Sequence, residues 1–176
     1  MIFFNNLSKF NKAFITLTII LLLYGYLCRI VGLYFFWESK TIGWTFLFLS
    51  TLLVLIQRIK IKKKQDKKLI SEKILISLII FLLVIQGIIF FVTPQTNAYK
   101  AAKQFLITDK NLSTEVGEVY DIFLIPVGGI TISSSSAGET GGADLNFIVK
   151  GKNKFKDINL ELDKSLDTEW KVFNTK

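Results

Sequence analysis

Residues 74–93 read ILISLIIFLLVIQGIIFFVT, and Pro94 follows at once. Ser77, Gln86 and the terminal Thr93 are the only polar side chains in this run. About 20 helical residues cross the roughly 30 Å hydrocarbon core of a bilayer, so the run predicts a transmembrane helix. Proline, which lacks a backbone N–H, ends it.

Two earlier runs have the same character. Residues 13–37 (AFITLTIILLLYGYLCRIVGLYFFW) are apolar over about 25 positions, and residues 42–59 over about 18, near the lower limit for a span. The reading is therefore a membrane domain over residues 1–93 with three transmembrane helices at about 13–37, 42–59 and 74–93. Arg29 lies in the later part of the first run. Its long side chain is expected to snorkel to the headgroups; inside a bundle it needs a partner, and Glu38 is within reach only if the chain folds back. A secretory signal is disfavoured, because the first run is too long and lacks a small-x-small cleavage pattern. Cys28 follows Tyr24-Gly25-Tyr26-Leu27, without the small residue expected before a lipid-modified cysteine, and reads as a small apolar side chain.

Loop charge gives an orientation. Residues 57–73 (QRIKIKKKQDKKLISEK) carry eight cations against Asp66 and Glu72, whereas the first connection has Lys40 balanced by Glu38. Basic loops stay on the cytoplasmic side, so the 60–73 loop is expected inside together with the N-terminus, Lys9 and Lys12, and residues from 94 onward outside. Tyr34, Phe35, Phe36, Trp37 and Trp44 flank the outer hairpin as an interfacial belt would.

The chain as a whole has 176 residues, 51% hydrophobic, with a formal net charge of +8. Residues 1–93 contribute +9 of this and residues 94–176 contribute −1. The basicity is thus membrane topology, and nucleic acid is not expected as a partner; for the lysine loop, retention and attraction to anionic lipid outweigh RNA binding. There is no histidine and one cysteine, which removes imidazole bases, His-ligated metals and an intramolecular disulfide.

Residues 94–176 change composition and predict one small α+β extracytoplasmic domain. Asn97 is placed to cap a helix whose apolar positions Ala98, Ala101, Ala102, Phe105 and Leu106 share one face and which ends by Thr108. A short helical turn closing at Gly117 follows. Period-two patterns then suggest strands at VYDIFLIPV ending near Pro126, at GITISSSS after Gly128-Gly129, at ADLNFIVKG, at FKDINLELD and at TEWKVFN. Lys164–Asp167 reads as a tight connection. The N-terminal helix packing on a mainly antiparallel sheet is the expected arrangement.

The order of an Ala-rich helix, a short segment ending in Gly117, the Gly128-Gly129 pair, the strand GGADLNFIVKGKNK and a last strand with Glu169-Trp170-Lys171-Val172 resembles the cytochrome oxidase complex assembly protein family. That family's domain is similar to the intermembrane-space domain of a small mitochondrial presequence translocase subunit. The resemblance covers residues 95–176. It implies a membrane-anchored, non-catalytic factor acting by protein contact on a respiratory oxidase or another membrane complex. Two departures stand out: the family member usually has one anchor, and Lys152-Asn153-Lys154-Phe155 lacks the family's glycine. Alternatives are an accessory subunit of a translocase or transporter, and an envelope sensor.

No residue is assigned a catalytic, cofactor-binding or metal-binding role, and neither a cofactor nor a small-molecule substrate is expected. Trp170 reads as sheet packing before partner binding. Gly117, Gly128, Gly129, Gly141, Gly142 and Gly151 read as turns or bulges. ISSSSAGETGG reads as a mobile hairpin loop and a possible contact surface, since it lacks a phosphate-loop pattern. Glu115, Glu118 and Asp121 read as solvated charge, lacking a calcium-loop pattern. Thr16, Thr18, Arg29, Ser50, Thr51, Ser77 and Gln86 are too sparse to line a transport pathway.

Overall fold

A computed structural model describes residues 7–65, 68–136, 138–166 and 168–176. Asp66 and Lys67 of the basic loop, Ala137 of the Ser-rich segment and Asp167 of the Lys164–Asp167 connection lie outside the described residues, as do residues 1–6. The chain forms two compact units, residues 1–85 and 86–176.

Three helices are long and apolar enough to cross a membrane. Helix α1 is Lys9–Val31, α2 is Ser39–Lys63 and α3 is Ile70–Val92. Helix α1 stops well before Trp37, because Gly32 adopts a left-handed conformation and its N–H returns to the Cys28 carbonyl. Helix α2 is longer than its apolar run at both ends, and residues 60–63 and 70–73 of the expected loop belong to α2 and α3. Lysines are good helix formers and are favoured at a helix C-terminus, where the macrodipole is negative.

Helices α1 and α2 pack through small side chains spaced seven apart, Thr18 and Gly25 on one helix, Gly43 and Ser50 on the other. A Cβ on Gly25 would lie 2.4 Å from the Lys40 backbone nitrogen, and one on Gly43 would lie 2.9 Å from Leu22. Close backbone approach through such residues is how helices associate in an apolar solvent, where burial of Leu against Leu has little advantage over lipid. Phe14 and Phe46 stack across the pair at 5.0 Å.

In the second unit, a 3₁₀ turn at Thr93–Gln95 leads to α4 (Asn97–Thr108) and α5 (Lys110–Val116). The cap of α4 is Thr96, whose hydroxyl accepts from the Tyr99 amide at 3.2 Å; Asn97, expected in that role, is already helical. Four antiparallel strands follow in the order β1-β2-β3-β4: Val119–Ser135, Gly138–Gly151, Phe155–Lys164 and Lys171–Thr175. Ala98, Ala102 and Leu106 of α4, with Leu112 and Val116 of α5, form one core with Leu124, Leu145, Phe147, Val149, Ile158, Leu160 and Leu162 of the sheet. Helices α4 and α5 cover that face. On the other face Ile148 is fully buried, and Phe123, opposite it across the strands, meets the Phe90 ring at 6.2 Å.

Two of the expected strands are one. Strand β1 runs through Pro126, and its register against β2 jumps between Ile125 and Gly128. Pro126 and Val127 form a bulge, which, like an edge position, readily accommodates a residue without an N–H. Asn146 holds the bulge by donating from Nδ2 to the Val127 carbonyl at 3.1 Å.

Candidate functional site

The hairpin between α1 and α2 places Arg29 in a defined pocket of backbone and ring. Its Nη1 donates to the carbonyl of Gly25 at 2.8 Å and to that of Trp37 at 2.9 Å, and the guanidinium lies 4.8 Å from the centre of the Trp37 ring. The chain folds back after Arg29, the condition under which Glu38 could reach it, and Glu38 is buried next to Trp37. Tyr24 steadies the same link by donating to the Phe35 carbonyl at 2.7 Å. Arg29 thus closes a turn with bonds to backbone carbonyls and a cation–π contact, an arrangement suited to holding shape.

Four hydroxyls of the long apolar helices are engaged in a similar way, whereas Ser39 Oγ is buried with no partner among the described residues. Thr16, Thr18, Ser50 and Thr51 donate to carbonyls three or four residues back in their own helices. Gln86 Oε1 is buried with no donor among the described residues.

The outward features of the second unit lie on the sheet. Trp170 precedes β4 and packs on the core beside Gly141, where a Cβ would lie 2.8 Å from the indole ring. With Asn97, Ala101, Lys164, Thr168 and Glu169 it borders a shallow hollow of about 370 Å³. The Ser-rich segment is paired strand for most of its length, Thr131 to Ser135 lying opposite Gly142 to Gly138, which corrects its reading as a loop. Alternating Ile, Thr and Ser suit a pleated ladder, which explains the difference.

The carboxylates read as solvated are in part ion-paired. Glu115 receives Lys154 at 2.7 Å and Lys156 at 2.6 Å, which together hold its carboxyl down to about 2. Asp121 pairs with Lys150 at 2.8 Å. On the sheet face away from the helices, Asn159 donates to Asp144 and Asn146, while Asn174 and Lys176 donate to Glu161, lowering its carboxyl below the usual range. Among the described residues no three His, Cys, Asp or Glu side chains are grouped to hold a metal ion.

Strand β1 is one edge of the sheet and carries a single charged side chain, Asp121, in 17 residues. Val127 and Ile132 stand exposed along it. Sheet edges are commonly guarded by lysine, proline or a bulge. The bulge guards the first half of β1, and nothing of that kind is present from Gly128 to Ser135. Sequence reading placed a strand at GITISSSS but divided it from VYDIFLIPV at Pro126, so it did not see one long edge without a charge from 122 to 135.

Comparisons with protein-family models, with curated proteins and with solved structures return no match to this chain.

Proposed function

We propose that this chain is a membrane-embedded, non-catalytic assembly or accessory factor whose C-terminal α+β unit acts by protein contact, with a respiratory complex such as cytochrome oxidase as its target. The observation that carries the contact role is the uncharged edge from Gly128 to Ser135, which offers backbone donors and acceptors for an added strand. The choice of target rests on the resemblance of residues 95–176. The three apolar helices serve as anchors in this reading, the lysine-rich end facing the cytoplasm or matrix and the α+β unit facing the periplasm or intermembrane space. Hydroxyls turned to their own helix backbones fit an anchor better than a transport pathway.

Affinity capture of the full chain from gently solubilised membranes tests the proposal. Recovery of oxidase subunits, lost on Ile132→Lys at the edge, supports it. Recovery of translocase subunits moves the target to the alternative, and recovery of no membrane complex overturns the assembly role. Replacing Arg29 and Gln86 with Leu should leave partner capture intact, whereas a transport function should be abolished.

A further inference from the structure

Helix α2 ends in a cluster of cations that the fold sorts into two faces. Arg58 and Lys62, one turn apart, converge on Glu72 at the start of α3: Arg58 Nε lies 3.4 Å from Oε1, and Lys62 Nζ bonds the same oxygen. Glu72 is 4% exposed, so this carboxylate is enclosed by its partners. Lys60, Lys63 and Lys64 have the i, i+3, i+4 spacing that places them together on a helix, on the side opposite Arg58 and Lys62. All three are exposed, and none has an anionic partner among the described residues. Lys68 and Lys73 are likewise exposed and without one.

The start of α1 is tied to this end of the hairpin. Gln57 Oε1 accepts from Asn11 Nδ2 at 2.7 Å and from the Ser8 amide at 3.2 Å. Lys9 therefore lies at the same end as the lysine face.

Length locates the face in depth. The 25 residues of α2 span about 37 Å at 1.5 Å per residue, some 7 Å more than a hydrocarbon core of about 30 Å. Part of that excess is the final turn, since α2 also extends beyond its apolar run at its start, and lysine side chains reach from that turn toward the phosphate layer.

We infer that the Lys60–Lys63–Lys64 face binds the phosphates of anionic phospholipids, with Glu72 withholding Arg58 and Lys62 from the same ligand. The membrane supplies the phosphates at the depth where the face lies, which favours lipid over RNA. The inference rests on the membrane-embedded reading above and deepens it, naming a ligand for the end of the chain away from the α1–α2 turn.

The test uses the full chain in detergent, mixed with equal amounts of phosphatidylglycerol and phosphatidylcholine of matched acyl chains, with retained lipid counted by native mass spectrometry. Preferential retention of phosphatidylglycerol is expected, reduced tenfold or more in K60Q/K63Q/K64Q. Glu72→Gln, which frees two cations, should raise retention. Equal retention of the two lipids, or a triple variant that keeps the preference, overturns the inference. So does a short RNA or inorganic phosphate that displaces the lipid at low micromolar concentration. Alkaline carbonate extraction of the expressed protein separates the two levels: release from membranes removes the embedded reading itself, whereas retention without lipid preference removes only the lipid site.

Discussion

Arg29 and Trp37 are joined twice, by a 2.9 Å hydrogen bond from guanidinium to backbone carbonyl and by the stacking of that guanidinium over the indole. Because the bond is to a carbonyl and the stack is to a ring, charge alone does not reproduce the pair. Arg29→Leu should destabilise the α1–α2 turn by about 2 kcal/mol. Arg29→Lys should recover less than half of that, since an ammonium lacks the planar fork. Thermal unfolding in detergent, followed by indole fluorescence, measures both; a lysine variant equal to the native protein would refute the stacking role.

Gly128 has φ +112°, and a Cβ there would sit 2.1 Å from the Asp144 carbonyl oxygen. Gly128→Ala should cost about 3 kcal/mol, through backbone conformation and a clash with a rigid neighbour. Gly129→Ala has open space around it and should cost under about 1 kcal/mol. Chemical denaturation of the pair of variants, read by far-UV dichroism, compares them directly.

Glu115 gives the second unit an acid-sensitive tie between α5 and the start of β3. Lys154 and Lys156 lower its carboxyl from the ordinary 4.5 to about 2. A depressed folded value means that the stabilisation is complete above about pH 4.5 and is lost as the pH falls toward 2. Glu115→Gln should therefore be less stable than the native chain at neutral pH, with the difference shrinking below pH 4.5. Unfolding midpoints from pH 7 to pH 2 decide it, and a difference that stays constant would contradict the pairing.

Leu106 is fully enclosed between α4 and the sheet, in the same core as Phe147. Leu106→Ala should destabilise the second unit by about 3 to 4 kcal/mol, as truncations that leave a core cavity do. Hydrogen exchange resolved along the chain should show the loss of protection in residues 97–176, with α1 and α2 unchanged.

The three long apolar helices were legible because apolar length alone identifies them, and α4 because Ala98, Ala102 and Leu106 repeat on one face. Their ends were less so. The stop at Val31 depends on Gly32 taking a left-handed conformation within an apolar run that continues to Trp37. The continuity of β1 depends on Asn146, twenty residues after Pro126, reaching back to the Val127 carbonyl, a contact that local pattern does not contain. Glu72 looked like one weak acid in a basic loop; its enclosure by Arg58 and Lys62 arises only when α2 and α3 come together. The spacing of Thr18 with Gly25, and Gly43 with Ser50, was present in the sequence as a signal of helix contact and went unread.

The Pro126–Val127 bulge also sets a ruler for whatever pairs with β1. A strand laid along the outer edge cannot keep one register across the jump, because two residues on that side have no counterpart in β2. The usable template is Gly128 to Ser135, about 26 Å of extended chain. Under the proposed contact role, a ligand for this edge would be a short extended segment of roughly eight residues. Longer partners must bend away at the proline, so chain length itself becomes a criterion of selection.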